Sequence, residues 1–320
     1  MGDGFLREAA SPVGMPAAAA PAAPAPAAPA AAAPDIAAAM AVRSAGENFP
    51  VALRLLPARH RRHLMAVYGF ARTVDDIGDL APAGDRARLL DDLEAGLGRL
   101  YSGEFSSGEG PASEPSVICA VIRALRPAVT ECAIPVQPFL DLIQANRQDQ
   151  IVTRYRTFDE LRGYCRLSAN PVGRIVLHVF GAFTPARAEL SDHVCTALQL
   201  AEHWQDVGED FRAGRVYLPG EDMARYGCSE SELAAPRSSA ALRVLMAFET
   251  GRAGALLDAG APLVGTLRGF ARVAVAGYVA GGRAALAAIA AADHDVLRAV
   301  ASPRAPRTAA ELLRCYVTGR

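Results

Sequence analysis

The chain has 320 residues and no lysine; every one of its 33 basic side chains is arginine. The formal net charge is -1, so no global attraction to nucleic acid is expected. Cysteine is sparse. Cys119, Cys132, Cys165, Cys195, Cys228 and Cys315 show no C-x-x-C and no paired spacing, which excludes a disulfide framework and reads as reduced thiols in a cytoplasmic protein. No run reaches the ~18 uncharged apolar residues of a membrane span. The nearest, Val273 to Gly282, is flanked by Arg272 and Arg283, so any membrane contact is expected to be peripheral. Met1 to Met15 carries charges and lacks the apolar core of a secretion signal. Alternating apolar runs and hairpin turns are scarce, which argues against a sheet. No G-x-G-x-x-G follows a strand, so NADPH is not expected.

Apolar residues make up 51% of the chain, enough for a sizeable core. Pro16 to Pro34 is almost entirely Ala and Pro. Repeated proline prevents a regular helix and alanine offers little to bury, so residues 1–37 read as a disordered tail. Residues 38–320 read as one all-α domain. Helical periods run over Arg86–Leu100, Val117–Leu125, Val136–Asp149, Ser191–Phe211, Ser238–Leu257, Val273–Ala291 and Ala309–Tyr316. Phe158–Gly181 is a further helical run, interrupted where Asn170-Pro171 should kink it. Ser102–Ser116 reads as a loop.

One stretch stands out. In Tyr68-Gly-Phe-Ala-Arg72-Thr-Val-Asp75-Asp76-Ile-Gly-Asp79, a helix places Tyr68, Arg72, Asp75, Asp76 and Asp79 at offsets 0, 4, 7, 8 and 11, on one face. Three carboxylates on one turn repel each other. Either water screens them or a cation neutralises them, and an all-oxygen donor set favours Mg²⁺ or Mn²⁺ over Zn²⁺. Farther along, Glu202, Asp206, Glu209 and Asp210 repeat the pattern at offsets 0, 4, 7 and 8. Two such clusters in apolar helices suggest facing carboxylate walls around a central apolar cavity. That arrangement suits ionisation of a diphosphate, with metals neutralising the leaving group and a dry cavity shielding the carbocation.

Other candidates have blander readings beside the functional ones. Arg59-His-Arg-Arg-His63 reads as a solvated helix start or a phosphate or membrane contact. His203 reads as a hydrogen-bonded core residue, since no His or Cys partners it at ligand spacing. Trp204, the only tryptophan, reads as core. Arg215 reads as a diphosphate donor and Arg212 as a helix-end donor. Asn170-Pro171 either only kinks the chain or frees backbone groups to hold an attacking water.

The stretch Tyr68–Asp79, together with Leu198-Gln-Leu-Ala-Glu-His-Trp-Gln-Asp-Val-Gly-Glu-Asp210 and Gly214-Arg-Val-Tyr-Leu-Pro219, resembles the squalene/phytoene synthase family. The resemblance runs from about Ser44 to Ala292. Glu47-Asn-Phe-Pro-Val51, Asn146-Arg-Gln-Asp149 and Ser168-Ala-Asn-Pro-Val-Gly-Arg174 are most similar to the bacterial hydroxysqualene synthases of hopanoid-type pathways. The resemblance implies an isoprenoid synthase bundle that ionises presqualene diphosphate and captures the rearranged cation with water. It implies Mg²⁺ held by Asp75, Asp76, Asp79, Asp206 and Asp210, with Glu209 facing toward or away from the metals. It places Arg72 and Arg215 near the diphosphate, and Tyr68 and Tyr164 in the cavity wall, where an aromatic face stabilises a cation. Tyr164 also fits a buried phenol with a satisfied hydroxyl. Glu202 stands where relatives typically carry Asn, as an extra ligand or an added negative charge. Gln205 stands where phytoene synthases usually have Arg. Condensation of two prenyl diphosphates, to presqualene diphosphate or phytoene, is the alternative reaction. A catalytically inactive assembly or lipid-binding factor is the alternative from another class, and its sign would be loss of the acidic ligands.

Overall fold

The computed structural model describes residues 56–104, 117–298 and 305–320, with side chains from 308 onward in the last stretch. The Ala/Pro-rich tail, Glu47–Val51 and most of the loop expected over Ser102–Ser116 lie outside the described residues. Among the described residues the secondary structure is helical. One isolated parallel bridge joins Arg154 to Val216.

The buried apolar residues divide into two cores. The first is built by α1 (Ala58–Leu80), α2 (Ala83–Ser102), α3 (Val117–Cys132) and α4 (Gln137–Asp149). Along α1, Leu64, Val67, Phe70, Val74 and Ile77 recur every three or four residues and are buried, so the acidic residues between them are turned away from this core. α2 presents Leu90, Leu93, Leu97 and Leu100, and ends on Gly103 in the left-handed conformation (φ 80°).

The second core takes α5 (Phe158–Ser168), α7 (Pro185–Gln205), α8 (Val207–Arg212), α9 (Gly220–Arg225), α10 (Ala240–Gly260), α11 (Leu263–Thr266), α12 (Gly269–Ala291) and α13 (Ala305–Thr318). α6 (Asn170–Val179) lies between the two, with Ile175 and Val176 in the first core and Leu177 in the second. Side-chain caps start α5, α7 and α10. Thr157, Thr184 and Ser239 each accept a backbone N–H of the first turn, and Pro185 takes a position whose N–H has no partner anyway.

Several expectations shift. The helix expected over Ser191–Phe211 begins earlier, at Pro185, and breaks at Asp206 (φ -104°, ψ 12°) before α8 continues. The helix expected to end at Leu125 runs on to Cys132 through Pro127. Burying Ala128 and Val129 on the same face as Ile122 and Leu125 outweighs the lost backbone bond. The kink at Asn170-Pro171 is a full break: α5 ends at Ser168, and Pro171 sits in the first turn of α6. Within Arg59–His63 the three arginines are exposed, but His60 and His63 are buried; His63 lies 3.2 Å from both Cys132 and Glu131. α12 is long and apolar enough to cross a membrane, yet 61% of its most apolar window is buried inside the bundle, as in a core helix. All six cysteines are free thiols.

Candidate active site

The two acidic clusters belong to different cores, and Arg215 links them, bonding Asp79 of the first while its charge acts on Asp210 of the second. It donates from Nη2 to Asp79 Oδ1 at 2.9 Å. Arg72 is paired with Asp76 one turn along α1, at 2.8 Å.

The end of α1 is held from α2 and from the end of α4. Arg86 donates to the carbonyls of Asp79 and Ala81 and to Gln150 Oε1, and Gln150 donates to the carbonyls of Gly78 and Asn146. Carbonyls at a helix end have no partner within the helix, so these donors fix where the acidic turn stops. Gly78 permits the close crossing. A Cβ there would lie 1.8 Å from Asn146 Oδ1. Arg147, next in the chain, bridges to Asp91 and Glu94 on α2 at 2.5 and 2.6 Å. The Asn146–Asp149 motif thus docks α4 on both α1 and α2 and brings Asp149 within electrostatic reach of Asp79 and Arg215.

The strand-like segment after α8 positions the other side. Gly214 turns the chain (φ 87°), and its carbonyl accepts from Arg154 at 2.6 Å. Val216 N donates to Thr153 O and Gly220 N to Tyr155 O, both at 2.9 Å. This pinning aims Arg215 at Asp79 and buries Tyr217. His203 lies flat on Tyr217, ring centroids 3.6 Å apart. Burial and the nearby Arg215 push the His203 pKa down to about 3, so the ring is neutral. Its Nε2 is 3.3 Å from Gln199. Both His203 and Trp204 therefore behave as core residues, Trp204 at 0% exposure.

The break at Asp206 splits the second cluster. Asp206 and Asp210 are half-buried, while Glu202 and Glu209 are exposed. A continuous helix would have kept all four on one face. Loss of solvent, then the neighbouring Asp206, pushes the Asp210 carboxyl up to about 7. Asp206 is raised by loss of solvent and by Glu209. Asp75 is exposed; desolvation by the surrounding protein, with Asp79, Asp76 and Asp149 adding repulsion, pushes it up to about 6 against the pull of Arg72.

These shifts mark a site short of positive charge. Asp76 Oδ1, Asp149 Oδ1 and Asp210 Oδ2 are buried without a hydrogen-bond partner, although Asp76 Oδ1 keeps its ion pair with Arg72. Orphaned, desolvated carboxylate oxygens fit a hard divalent cation. Among the described residues no three His, Cys, Asp or Glu side chains already converge as a metal cage.

Tyr68 is half-buried on α1. Tyr164 is buried and donates to Asp149 Oδ2 at 2.7 Å, so its hydroxyl is satisfied. Asn170 is buried and its Oδ1 accepts from Thr196 Oγ1 at 3.0 Å, a bond that ties α6 to α7. A small pocket of about 10 Å³ is lined by His203, Val207, Asp210, Val216, Tyr217, Leu218 and Leu233. Asp149 and Tyr217 are the site residues that sequence reasoning passed over. Both stand inside motifs that it singled out, which was the available signal.

A helical bundle that links two acidic helical segments from separate cores through one arginine has the isoprenoid synthase architecture. Residues 42–310 match the squalene/phytoene synthase family, and the chain belongs to it. Hydroxysqualene synthases of Rhodopseudomonas palustris and Sinorhizobium fredii are each 37% identical to it over 227 residues, 70% of this chain and 72% of theirs. A phytoene synthase of Mycobacterium tuberculosis is 34% identical over 187 residues, 58% of this chain and 57% of its own. The crystal structure of squalene synthase HpnC from Alicyclobacillus acidocaldarius matches with a TM-score of 0.71 at 40% identity, covering 81% of this chain and 94% of that one. A dehydrosqualene synthase solved with a ligand shares the fold, with a TM-score of 0.75 at 23% identity, over 90% of this chain and 98% of that one.

Proposed function

We propose that this chain converts presqualene diphosphate and water to hydroxysqualene and diphosphate. The observation that carries the reading is the Arg215 link between the two acidic clusters, bonded to Asp79 and close enough to act on Asp210. The similarity to hydroxysqualene synthases supports this choice of substrate. The catalytic unit is taken as residues 38–320, with 1–37 as a tail.

In this reading Asp75, Asp76 and Asp79 hold Mg²⁺ (or Mn²⁺) from one side, and Asp206 and Asp210 from the other. Glu202 and Glu209, both exposed, form the outer rim of the site. Bound there, the cation supplies neutralisation of the diphosphate charge as the C–O bond breaks. Arg215 and Arg72 add guanidinium forks to the leaving group. The phenyl faces of Tyr68 and Tyr164 stabilise the carbocation, and the buried rings of Tyr155, Tyr217 and His203 keep bulk water out. The Asn170–Thr196 bond supports a positioning role for Asn170, holding α6 against α7. The enzyme works in the cytoplasm, with peripheral membrane contact serving its apolar substrate and product.

Similarity to phytoene synthases supports a second reading, the head-to-head condensation of two prenyl diphosphates. One experiment separates the two. Purified protein with Mg²⁺ is given presqualene, farnesyl or geranylgeranyl diphosphate in turn, and products are identified by mass. The first reading expects an alcohol from presqualene diphosphate only. Phytoene from geranylgeranyl diphosphate, or presqualene diphosphate from farnesyl diphosphate, gives the second.

A further inference from the structure

We infer that Cys132 is a thiol–disulfide exchange site for small anionic disulfides, with His63 as its base and Glu131 as the group that orients the base. None of the three belongs to the acidic clusters, so the inference stands apart from the proposed reaction.

The end of one helix and the start of another build the site. α3 stops at Cys132 because Ala133 enters the left-handed region (φ 48°) and Ile134 N donates back to Val129 O at 3.2 Å. The last side chain of α3 is thereby set against the N-terminal part of α1, where His63 is buried at 6% exposure. His63 Nδ1 lies 3.2 Å from Cys132 Sγ, and its Nε2 lies 3.2 Å from the Glu131 carboxylate. An ionised carboxylate only accepts, so it places the ring hydrogen on Nε2 and leaves Nδ1 to accept from the thiol. A nucleophile, a base within hydrogen-bond reach and a third group that orients the base are the parts of an activated thiol.

Access separates Cys132 from most of the other cysteines. Cys165, Cys228 and Cys315 are buried, and Cys195 faces the Ser191 hydroxyl. Cys132 is half-buried between exposed Glu131 and Ala133. The exposed guanidinium of Arg59 acts on it and suits the carboxylates that small peptide disulfides carry. Loss of solvent, then Glu131, holds the thiol above its ordinary range against Arg59. The thiol therefore rests protonated, and its attack on sulfur needs the base.

The exchange balances. Sγ forms a bond to one sulfur of the disulfide as that disulfide's own S–S bond breaks. The thiol hydrogen moves to His63 Nδ1 and then to the departing sulfur. One protein thiol and one disulfide give one mixed disulfide and one free thiol, with no further oxidant.

Oxidised glutathione is the probe. The full chain is incubated with it from pH 6 to 9 and quenched in acid, and the mixed disulfide at each cysteine is quantified by peptide mass. Wild type, His63→Gln and Glu131→Gln are compared, with thermal melting alongside. The other charged and titratable groups around the pair are Arg59 and His60 from α1, Glu131 from α3 and His178 from α6. They move where the wild-type profile bends, not whether it bends. At pH 7, Cys132 of wild type should exchange about tenfold faster or more than Cys132 of His63→Gln. The wild-type rate should level off within this range, whereas that of His63→Gln should keep rising about tenfold per pH unit with the thiolate fraction. Glu131→Gln should fall between the two. Equal rates in wild type and His63→Gln, or a wild-type Cys132 that stays unmodified, overturn the inference. If His63→Gln fails to fold, the wild-type profile decides alone: a plateau supports the site, and an unbroken tenfold rise per unit overturns it.

Discussion

Gly78→Ala puts a methyl group where α1 and α4 cross. The new Cβ would lie 1.8 Å from Asn146 Oδ1, 2.7 Å from its Cγ and 2.9 Å from its Nδ2, whereas ordinary contact begins near 3.4 Å. The amide must swing away or the helices must part by about 1.6 Å. Asn146 is buried, so the amide has little room to swing. Overpacking of this kind costs about 1–3 kcal/mol. In a chain of this size that lowers the melting temperature by about 2–6 °C. The catalytic effect should be larger in proportion. Gly78 sits between Asp75 and Asp79, while Asn146 is one turn from Asp149, so the strain displaces the two groups against each other. A misplacement of about 1 Å costs roughly 100-fold in rate. Thermal melting and Mg²⁺-dependent diphosphate release measure the two losses. Adding Asn146→Ala removes all three clashing atoms, and Asn146 Oδ1 has no hydrogen bond to lose; the double variant should regain most of both. A Gly78→Ala protein with unchanged melting and turnover would refute the claim that this crossing sets the acidic turn.

Three other outcomes follow from the same geometry. Glu249 has 0% exposure and lies 3.3 Å from Arg252, which also binds Asp222; burial pushes the Glu249 carboxyl up to about 8. The folded protein therefore keeps a proton that the unfolded chain sheds above about 4.5. Stability should fall by up to about 1.4 kcal/mol per pH unit from about pH 4.5 to 8, and Glu249→Gln should flatten that slope in denaturant titrations. Because Asp75 titrates near 6 and Asp210 near 7, Mg²⁺ must displace their protons at lower pH, so calorimetric Mg²⁺ affinity should weaken as pH falls from 8 to 5.5. Arg215→Ala removes the 2.9 Å bridge and one diphosphate donor; kcat/KM should drop about 10- to 100-fold with melting changed by little, since the bridge is partly exposed.

The acidic turn of α1 was legible because charges at helical spacing, between buried Val74 and Ile77, can only fall on one face. Its partner cluster was legible in composition but not in shape. The break falls at Asp206 itself, two residues before Gly208, where the chain leaves α7 for α8, with Glu202 and Glu209 exposed. The buried His60 and His63 were hidden among exposed arginines, although they share a face with Leu64 and Val67. Asp149, Gln150 and Arg86 could not be assigned from spacing, because their roles exist only where α2 and α4 abut the end of α1. Gly78 had a visible cue, a glycine inside an otherwise strong helix, but its partner Asn146 is distant in sequence.

The central claim is that Asp75 and Asp79 on α1 and Asp210 on α8 act as one site. Its most direct test is Mg²⁺-dependent diphosphate release from presqualene diphosphate by wild type, Asp75→Ala, Asp79→Ala and Asp210→Ala, with helical content checked by circular dichroism. Wild type should release diphosphate and form hydroxysqualene, and each variant should lose turnover by 1000-fold or more, on the order of 4 kcal/mol, with its helices intact. Retained turnover in Asp75→Ala and Asp79→Ala would return α1 to a solvated acidic surface.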